Sequence, residues 1–516
     1  MGDDRQPGWV VSTPVAALAG GLAGLSLAPL GWPPVLWLAL VPLWAQTQRQ
    51  WARHRVAGIG ASLRAAALWG GCGVLVSHRW LLWLHPLDWL GVPLPLSLPI
   101  CLLLWLACGL AAGLLVALWC GLARWLGPSR WSTALLLAGL WGLAEVLLAR
   151  SPLFWLGLGA APLPGDRALA GLAAIGGSGM VAAAQLMLGW WLWRALGAPP
   201  ARRQRWWLGL IAVGVALHLL GWSQLRVSRA ERGEPVEVLV LQPAVPTREK
   251  FAPSQQQRLL QRLAAARREA ARLGVDSLLL PEGSLLRGQA LPGPEPVEVI
   301  AGGFRLEREE LRSSVLRFEP GQLNPSGWID KHRLVPLGEW VPLAGLWRWS
   351  GLSAVGGVEP GDPSRLLQRP AGAIGVAICY EISDGQALAA ASRGGAGWLL
   401  AAANLDPYPA LLQHQFTALS QLRAIETGRW LVSAANTGPS LVINSQGVVM
   451  QRLPANRAAT ARFRLEALSR LTMYARWGEL PLGLLLLLAA SASALSSGRI
   501  SRQPGGETGA EQELQP

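Results

Sequence analysis

Long apolar stretches separated by short polar loops fill the first 225 residues of the chain, and one more apolar stretch lies near its end. A helix that crosses a bilayer needs roughly 20 predominantly apolar residues. The first two stretches are close to the lower limit of that length, so they form either a helical hairpin or one broken span. Counted separately, the stretches predict eight spans, at residues 10–30, 32–44, 65–84, 96–120, 132–149, 170–193, 206–224 and 480–494.

Clusters of arginine fall in alternate loops between these stretches. Loops that are rich in basic residues face the cytoplasm in membrane proteins. This rule places both chain termini inside and puts the large polar insert, about residues 226–475, on the outer face. A signal peptide is a poorer interpretation of the N-terminus because further spans follow it. The clusters are Arg49, Arg53, Arg55 and Arg64, then Arg124 and Arg130, then Arg194, Arg202, Arg203 and Arg205, and finally Arg499 and Arg502.

One acidic residue, Glu145, lies within the fifth predicted span. An ionisable group inside a membrane is a candidate functional residue by default. Glu145 is also near the end of its span, where it could pair with Arg150. The sequence leaves both interpretations open.

Within the insert, the pattern changes to short apolar runs that alternate with helices. Residues 254–273 have the periodicity of a strongly amphipathic helix, with Leu259, Leu263 and Ala266 on one face. Strands that alternate with helices and end in hairpins indicate an α/β fold built from two layered sheets. The predicted strands include residues 236–241, 277–280, 297–304, 314–318, 373–378, 398–403, 430–435 and 441–443.

These patterns predict four segments. Residues 1–225 form a transmembrane bundle of about seven spans, and residues 226–475 form an outer domain. Residues 476–498 are a final transmembrane helix, and residues 499–516 are a disordered cytoplasmic tail.

The composition supports a membrane protein. Of the 516 residues, 51% are hydrophobic and only 15% are charged, whereas a soluble domain has about a quarter charged residues. Many of the 28 tryptophans lie near span ends, as membrane-interface anchors do. The net charge of +14 raises the possibility of a nucleic-acid partner. However, the arginines flank spans or are scattered, and no basic run is interleaved with aromatic residues, so nucleic-acid binding is not indicated.

Three polar residues follow apolar strands of the insert, namely Glu282, Lys331 and Cys379. Lys331 is one of only two lysines in a chain whose basic residues are otherwise arginine, and the other is Lys250. A lysine retained in such a chain suggests a need for a compact cation whose pKa can shift. Cys379 is the only cysteine of the insert, so it has no disulfide partner there. The four others lie in span-like sequence, where cysteine is most often a small buried apolar residue.

These three residue types can support nucleophilic catalysis. A thiol is mostly protonated at neutral pH, and the thiolate is the nucleophile. Glu282 is a plausible base, and Lys331 could stabilise the thiolate and then an oxyanion. Glu339 and Glu381 could position Lys331 or relay a proton, although Glu381 could equally be a surface or capping residue. No Cys/His pattern has the spacing of metal ligands, and no cofactor is predicted.

The motifs that contain these residues resemble the nitrilase superfamily. They are Leu280-Pro281-Glu282, the segment from Asp330-Lys331-His332 through Gly338-Glu339-Trp340 to Leu343, and Val376 to Glu381. The lysine motif is similar to that of the membrane branch, the apolipoprotein N-acyltransferases, and the resemblance extends over nearly the whole chain. It implies a multi-span bundle joined to a nitrilase-like α-β-β-α sandwich. It also implies that Glu282 is the general base, Lys331 the oxyanion-stabilising residue and Cys379 the nucleophile, with Glu339, Glu381 and Tyr380 in support.

The resemblance also implies a reaction and a location. An acyl chain would pass from a phospholipid similar to phosphatidylethanolamine to Cys379 as a thioester. It would then pass to the N-terminal amine of diacylglyceryl-cysteine on an apolipoprotein. The enzyme would be a multi-pass protein of the bacterial inner membrane, with its catalytic domain on the periplasmic face. Anchoring the catalytic domain beside lipid-bound substrates raises their effective concentration.

The sequence departs from the family pattern at one place. Where the family has Asn-Asp-x-Trp-Phe, this chain has Asn404-Leu405-Asp406-Pro407-Tyr408. Asn404 and Tyr408 are therefore candidate substrate-binding residues, with Tyr408 as a partial replacement for the altered aromatic residues.

Two other functions remain: a membrane-tethered amidase that hydrolyses a small carbon–nitrogen bond, and a transporter or scaffold with an inactive outer domain. The many spans and the Gly338-Glu339-Trp340 segment favour acyl transfer over the amidase.

Overall fold

The computed structural model describes residues 12–47, 55–88, 92–151, 154–250, 252–335, 338–339 and 357–498. The predicted disordered tail at 499–516 and most of the lysine motif after Glu339 lie outside the described residues. The helices are α1 (Thr13–Ser26), α2 (Pro33–Gln46), α3 (Arg55–Ser77), α4 (Leu94–Leu126), α5 (Trp131–Ala149), α6 (Arg167–Ala170), α7 (Ala173–Leu196), α8 (Pro200–Ala230), α9 (Pro253–Leu273), α10 (Gly385–Arg393), α11 (Ala410–Thr427), α12 (Met473–Trp477) and α13 (Leu480–Gly498).

The apolar helices correspond to the predicted spans. Among the described residues, five helices are long and apolar enough to cross a membrane, namely α3, α4, α5, α7 and α8. The shorter apolar helices α1, α2 and α13 account for the remaining predicted spans. Many leucines on α4 and α8 are exposed at the bundle surface, as expected for side chains that face lipid rather than protein.

The third predicted span differs from the structure at its end. The prediction extended it to residue 84, but α3 ends at Ser77 and a separate 3-10 helix covers Arg79–Leu84. Apolar composition continues across this boundary, so hydropathy alone could not locate the change. The change is fixed by contact with the outer domain, because Gln415 donates a hydrogen bond to the carbonyl oxygen of Ser77 at 2.8 Å.

Glu145 has a structural role within the bundle. Its carboxylate accepts hydrogen bonds from the backbone N–H groups of Leu158 at 2.7 Å and Gly159 at 3.1 Å, and from the indole of Trp141 at 2.9 Å. It therefore holds the turn after α5 against that helix. A buried polar group needs such partners because leaving it unpaired would cost free energy.

The helix α7 is broken near its start, where the outer domain contacts the bundle. Gly176 and Gly177 have non-helical backbone angles, and Gly177 has a φ of 67°, a conformation that favours glycine. The backbone N–H of Ser178, just after the break, donates to the Glu426 carboxylate of α11 at 2.9 Å. A residue of the outer domain thus caps the second part of a membrane helix.

The outer domain contains two six-stranded sheets. In the first sheet, the three parallel strands β1 (Glu234–Gln242), β2 (Ser277–Leu285) and β3 (Glu298–Glu307) lie near the centre, and antiparallel strands flank them. The second sheet repeats this arrangement around the parallel strands β7 (Ile374–Ile378), β8 (Trp398–Ala403) and β9 (Leu431–Ala435). The first sheet has the order β12 (Ala459–Ala467), β1 (Glu234–Gln242), β2 (Ser277–Leu285), β3 (Glu298–Glu307), β4 (Glu310–Phe318) and β5 (Gly327–Asp330). The second has the order β11 (Val449–Arg452), β10 (Leu441–Ile443), β9 (Leu431–Ala435), β8 (Trp398–Ala403), β7 (Ile374–Ile378) and β6 (Leu366–Leu367).

Side-chain alternation along the strands builds the layers. On β7, Ile374, Val376 and Ile378 join the core between the two sheets, while Ala377 belongs to the core on the opposite face, as the two-residue period of a strand requires. The helix α9 covers the outer face of the first sheet, and α10 and α11 cover the second. The predicted α-β-β-α sandwich is confirmed.

The sandwich rests on the bundle through α11. Leu412 and Phe416 of this helix belong to one continuous apolar core with the sheet residue Ala401 and with membrane helix residues such as Val181. The parallel strands β7 and β8 end on the side of this junction, so the ends of strands that carry polar residues lie close to bundle residues. This arrangement brings aromatic side chains of the bundle to the candidate site.

Candidate active site

Cys379 lies at a sharp turn directly after β7. Its φ is 52°, which is uncommon for a residue with a side chain and stores local strain. A 3-10 helix begins at the same residue and ends at Ser383. Strained backbone at the junction of a strand and a helix is a recurring way to present a nucleophile.

Lys331 follows β5 and is almost completely buried. Its side chain is 1% exposed, and its Nζ donates hydrogen bonds to Glu282 Oε1 and Glu339 Oε1, each at 2.8 Å. Its backbone N–H donates to the Ser313 carbonyl oxygen at 2.7 Å, which continues the pairing of β5 with β4. The ammonium group is therefore held between two carboxylates by a fixed backbone.

Glu282 lies at an irregularity within β2, where the pairing with β3 shifts between Leu280 and Leu285. The strand continues past the predicted end. Gly302 on β3 packs directly against the backbone of Glu282, and a larger residue would displace it. The second carboxylate oxygen, Oε2, accepts the backbone N–H of Asn404 at 3.0 Å. Glu282 is thus oriented from β3, from the end of β8 and by Lys331.

The charges of these groups depend on each other. Burial by itself raises the pKa of Glu282, but the charge and hydrogen bond of Lys331 outweigh it and lower that pKa below 4.5. Burial by itself lowers the pKa of Lys331, but Glu282 and Glu339 raise it well above 10.5. Burial and the charge of Glu282 raise the pKa of the Cys379 thiol well above 9.0, despite the opposing effect of Lys331. The resting site therefore has a protonated thiol, a carboxylate and an ammonium group.

Glu339 completes this cluster. Its Oε2 accepts the backbone N–H of Val335 at 2.9 Å while Oε1 accepts from Lys331. Burial is the main cause that raises the pKa of Glu339, and the neighbouring charge of Glu282 adds to the effect.

Glu381 lies on the far side of the same turn and has different partners. Its carboxylate is 3% exposed and forms an ion pair with Arg365 at 2.9 Å. It also accepts the backbone N–H groups of His332 at 2.7 Å and Ile378 at 2.9 Å. Glu381 joins the lysine loop to the nucleophile turn, so it is neither a surface residue nor a direct partner of Lys331.

Tyr380 connects the nucleophile turn to the bundle. Its hydroxyl donates to the carbonyl oxygen of Phe154, and its ring stacks on Trp155 with centroids 5.8 Å apart. The guanidinium of Arg333 lies over the same ring at 4.8 Å. Burial raises the pKa of Tyr380 to about 12, so the phenol is neutral and acts through packing and its hydrogen bond.

The two candidate substrate-binding residues have different positions. The Asn404 side chain donates to Thr247 at 3.0 Å and accepts from Asn436 at 2.9 Å, so it supports the site from within the protein. Tyr408 packs edge-on against Trp80, with ring centroids 5.5 Å apart. Burial raises the pKa of Tyr408, and the charges of Cys379, Glu282 and Glu339 add to the effect, so the phenol is neutral.

Bundle residues thus form one wall of the site. Trp80 comes from the 3-10 helix after α3, and Trp155 from the loop after α5. Their rings contact each other at 6.4 Å, and Trp155 also stacks on Phe416 at 6.5 Å. The nucleophile turn is consequently bordered by apolar aromatic surface from the membrane side.

Among the described residues, no group of three or more histidine, cysteine, aspartate or glutamate side chains could hold a metal ion.

One family model matches residues 297–469, and its description is carbon-nitrogen hydrolase. The match includes Lys331 and Cys379 but begins after Glu282. Similarity to full-length proteins covers the rest of the chain. The apolipoprotein N-acyltransferase of Prochlorococcus marinus strain MIT 9313 is 47% identical over 514 residues, which cover 96% of this chain and 98% of that protein.

A second relative of the same name, from Parasynechococcus marenigrum strain WH8102, is 48% identical and covers 89% of this chain and 96% of that protein. The chain belongs to the apolipoprotein N-acyltransferase family. With its apolar helices, this family member is a multi-pass membrane protein. Among solved structures, Nit3 of Saccharomyces cerevisiae, described as a member of branch 10 of the nitrilase superfamily, has a TM-score of 0.35 at 15% identity and covers 46% of this chain and 91% of that chain.

Sequence reasoning missed contributors to the site of this family member. Lys250 has its ammonium group close to Gly283 and 5.8 Å from the Phe304 ring. Burial lowers the pKa of Lys250, and the charge of Glu282 acts in the opposite direction. The rarity of lysine was a usable signal for this residue. Arg365, Trp80 and Trp155 gave no such signal because their roles depend on contacts between distant parts of the chain.

Proposed function

We propose that the protein transfers an acyl chain from a membrane phospholipid to the N-terminal amine of diacylglyceryl-cysteine on apolipoproteins. Cys379 is the nucleophile, Glu282 the general base and Lys331 the oxyanion-stabilising residue. The observation that carries the proposal is the hydrogen bond of Lys331 to Glu282 at 2.8 Å beside the strained turn of Cys379. The family of the chain and its apolar helices support a lipid substrate.

The first half-reaction acylates Cys379. Glu282 takes the thiol proton as the sulfur attacks the ester carbonyl carbon of the phospholipid. The negative charge that develops on the carbonyl oxygen is stabilised by the ammonium of Lys331. Collapse of the tetrahedral intermediate breaks the ester carbon–oxygen bond, and the leaving alkoxide receives the proton from Glu282. A lysophospholipid departs, and the acyl chain stays on Cys379 as a thioester.

The second half-reaction transfers the acyl chain to an amine. The amino group of diacylglyceryl-cysteine attacks the thioester carbon, and Glu282 accepts its proton. Collapse of this intermediate forms the amide and expels the Cys379 thiolate, which regains the proton. The high pKa of the Cys379 thiol favours its protonated form at rest, so the base must act together with attack rather than before it.

The aromatic wall formed by Trp80 and Trp155 favours the proposal that an apolar acyl chain binds beside the nucleophile. Trp80 and Tyr408 form an edge-on pair, and aromatic rings bury large apolar areas. Glu339, Glu381 and Tyr380 position the reacting groups through the contacts described above. We infer from the arginine-rich loops that the sandwich faces the periplasm of a bacterial cell, where phospholipid and apolipoprotein are both anchored in the adjoining leaflet. A donor with a phosphatidylethanolamine headgroup fits this proposal.

Intact-protein mass spectrometry tests the covalent intermediate. The purified full-length protein is incubated with phosphatidylethanolamine of known acyl chains. The expected result is a mass increase equal to one acyl chain, which hydroxylamine removes and which Cys379→Ala lacks. Adding a diacylglyceryl-cysteine peptide should discharge the adduct and yield an N-acylated peptide. An unmodified wild-type protein under these conditions would rule out the thioester mechanism.

Complementation tests the function in cells. A strain depleted of its own apolipoprotein N-acyltransferase is supplied with the wild-type chain or with Cys379→Ser. We expect rescue by the wild type alone, since the serine hydroxyl is a far weaker nucleophile in a site built for a thiol. Equal rescue by both proteins would support a non-enzymatic role instead.

A further inference from the structure

A cavity lies where the segment after Lys331 meets the segment after the nucleophile turn, between residues 332–333 and 381–393. Its volume is about 350 Å³, and its lining does not include Cys379, Lys331 or Glu282. The buried carboxylate of Glu381 separates it from the thiol. The charged residues of the lining are Arg150, Arg333, Arg365, Arg393, Glu381 and Asp384.

The two carboxylates of this cavity are already engaged. Glu381 is paired with Arg365 and accepts three backbone N–H groups. Asp384 caps α10 by accepting the backbone N–H groups of Gln386 at 3.0 Å and Ala387 at 3.3 Å. Glu381 offsets the charge of Arg365, and Asp384 offsets only one of the three remaining arginines, so the four arginines outnumber the two carboxylates and the lining has an excess of positive charge.

Two of the arginines are exposed. Arg150 and Arg393 are exposed side chains. Among the described residues neither guanidinium forms an ion pair of 4.0 Å or less, although burial raises the pKa of the nearby Glu479 carboxyl and the charge of Arg150 acts on that carboxyl in the opposite direction. Within the described residues, the Arg393 guanidinium donates one hydrogen bond, to the carbonyl oxygen of Arg476 at 3.2 Å. Arg333 is held in place by Ser383 at 2.8 Å and by the carbonyl oxygen of Ser151 at 2.7 Å. The cavity therefore has a fixed inner arginine and two outer arginines that can reach a ligand.

The outer arginines lie at the end of the membrane-spanning region. Arg150 follows the last residue of α5. Arg393 is located by its hydrogen bond to Arg476, which lies four residues before the start of α13. Both of these helix ends are on the side of the bundle that carries the sandwich. A side chain at this level meets the phosphate groups of the adjoining leaflet.

We propose that this cavity binds the phosphate of an anionic phospholipid headgroup from that leaflet. A guanidinium group is planar and donates paired hydrogen bonds that match phosphate oxygens. The cavity volume of about 350 Å³ lies within the range of small-ligand sites, roughly 300–1,000 Å³. The opening beside two span ends selects a ligand that is held in the membrane over one that diffuses freely. The inference goes beyond acyl transfer, because binding here requires no reaction at Cys379.

Native mass spectrometry of the detergent-purified full-length chain tests the proposal. Every protein in the experiment contains Cys379→Ser, so that lipid is not consumed by acyl transfer. Phosphatidylglycerol and phosphatidylethanolamine with identical acyl chains are added separately, and retained lipid is measured. The test variant is Arg150→Gln with Arg393→Gln. The matched control is Arg258→Gln with Arg268→Gln, which removes two exposed arginines from α9.

Retention of phosphatidylglycerol over phosphatidylethanolamine is expected for the parent protein. The cavity variant should bind phosphatidylglycerol at least about fivefold more weakly for each arginine removed, while the α9 variant stays unchanged. Equal retention of the anionic lipid by the cavity variant and the parent would overturn the proposal, as would an equal loss in the α9 variant. Displacement of the lipid by inorganic phosphate at the same concentration would instead identify a soluble anion and overturn the lipid assignment. Thermal unfolding of each variant confirms that it is folded.

Discussion

Two buried ion pairs flank the turn that carries Cys379, and they differ in what completes them. Lys331 with Glu282 and Arg365 with Glu381 have similar lengths, 2.8 and 2.9 Å, and both cations are at most 2% exposed. Glu381 gives its remaining acceptor capacity to backbone N–H groups. Glu282 instead faces the thiol of Cys379, whose pKa it raises.

This difference separates a positioning group from a reacting group. A carboxylate that is fully occupied by backbone donors and an arginine fixes the geometry of the turn. A carboxylate next to a protonated thiol can take the proton of that thiol as the sulfur attacks the substrate. The negative charge then develops on the substrate carbonyl oxygen beside Lys331. Distance and burial alone would not distinguish the pairs, so the variants below test them against each other.

The largest effect is expected for Lys331→Met. This change leaves Glu282 and Glu339 buried without their cation and removes the group that stabilises the oxyanion. The rate of thioester formation should fall by at least about a thousandfold, and breaking the buried pair should cost roughly 3–5 kcal/mol of stability. Single-turnover acylation and thermal unfolding measure the two effects.

Lys250→Met is the matched control, because it removes the other lysine of the chain, whose ammonium group, unlike that of Lys331, forms no hydrogen bond to a side chain among the described residues. We expect a smaller loss of rate, below about tenfold. Lys331→Arg should not restore activity, since a planar guanidinium cannot replace a compact ammonium between two carboxylates. Equal losses in the Met variants at 331 and 250 would contradict the oxyanion role of Lys331.

The second largest effect is expected for Glu282→Gln. The amide keeps a single oxygen, which can accept a hydrogen bond from Lys331 or from the Asn404 backbone but not from both, so stability should fall by about 1.5–3 kcal/mol. The amide cannot accept the thiol proton, and the rate of thioester formation should fall about a hundred- to ten-thousandfold. Acylation kinetics on folded protein measure this. Near-normal kinetics would show that another group is the base.

Glu381→Gln should lose a similar amount of stability but keep most of the acylation rate. One acceptor for Arg365 or for the backbone N–H groups of His332 and Ile378 is lost, at a cost of about 1.5–3 kcal/mol for hydrogen bonds to a charged group. The melting temperature should fall, whereas the acylation rate of the remaining folded enzyme should fall less than about tenfold. If Glu381→Gln instead removes the rate and keeps the stability, the distinction between the two ion pairs is wrong.

The sequence was sufficient for the parts of the site that depend on local pattern. Glu282, Lys331 and Cys379 each follow or interrupt an apolar strand, and the alternation of strands predicted the two-layered sandwich. The structure brings Glu282 and Lys331 within hydrogen-bond distance and brings both near Cys379. Their catalytic roles stay predictions until the variants are measured.

The sequence was insufficient where the structure depends on distant contacts. The edge strand β12 was missed because most of its residues are only partly buried, so no apolar run marks it. Its pairing with β1 joins residues more than 200 positions apart. The change from α3 to a 3-10 helix at Arg79 was missed for the same reason, since contacts with α11 fix it rather than composition.

A third buried carboxylate, Glu426, gives the smallest expected effect and extends the comparison to the junction with the bundle. Its Oε1 accepts from Arg423 at 3.2 Å and from the Ser178 backbone, but its Oε2 has no hydrogen-bond partner among the described residues. Burial raises the pKa of Glu426 from 4.5 to about 7. Unlike Glu381, this carboxylate is incompletely satisfied and should titrate near neutral pH.

The sign of the effect follows from proton linkage. The folded state binds the Glu426 proton more tightly than the unfolded state, so this contribution to stability is complete below pH 4.5 and is lost as the pH rises through about 7. Glu426→Gln keeps a neutral side chain with an oxygen acceptor at every pH. The variant should match the wild-type melting temperature at pH 5 and exceed it at pH 8 by about 3 °C. The exposed Glu359→Gln should follow the wild type throughout. Parallel melting curves for wild type and Glu426→Gln from pH 5 to pH 8 would show instead that Glu426 does not change its charge in this range.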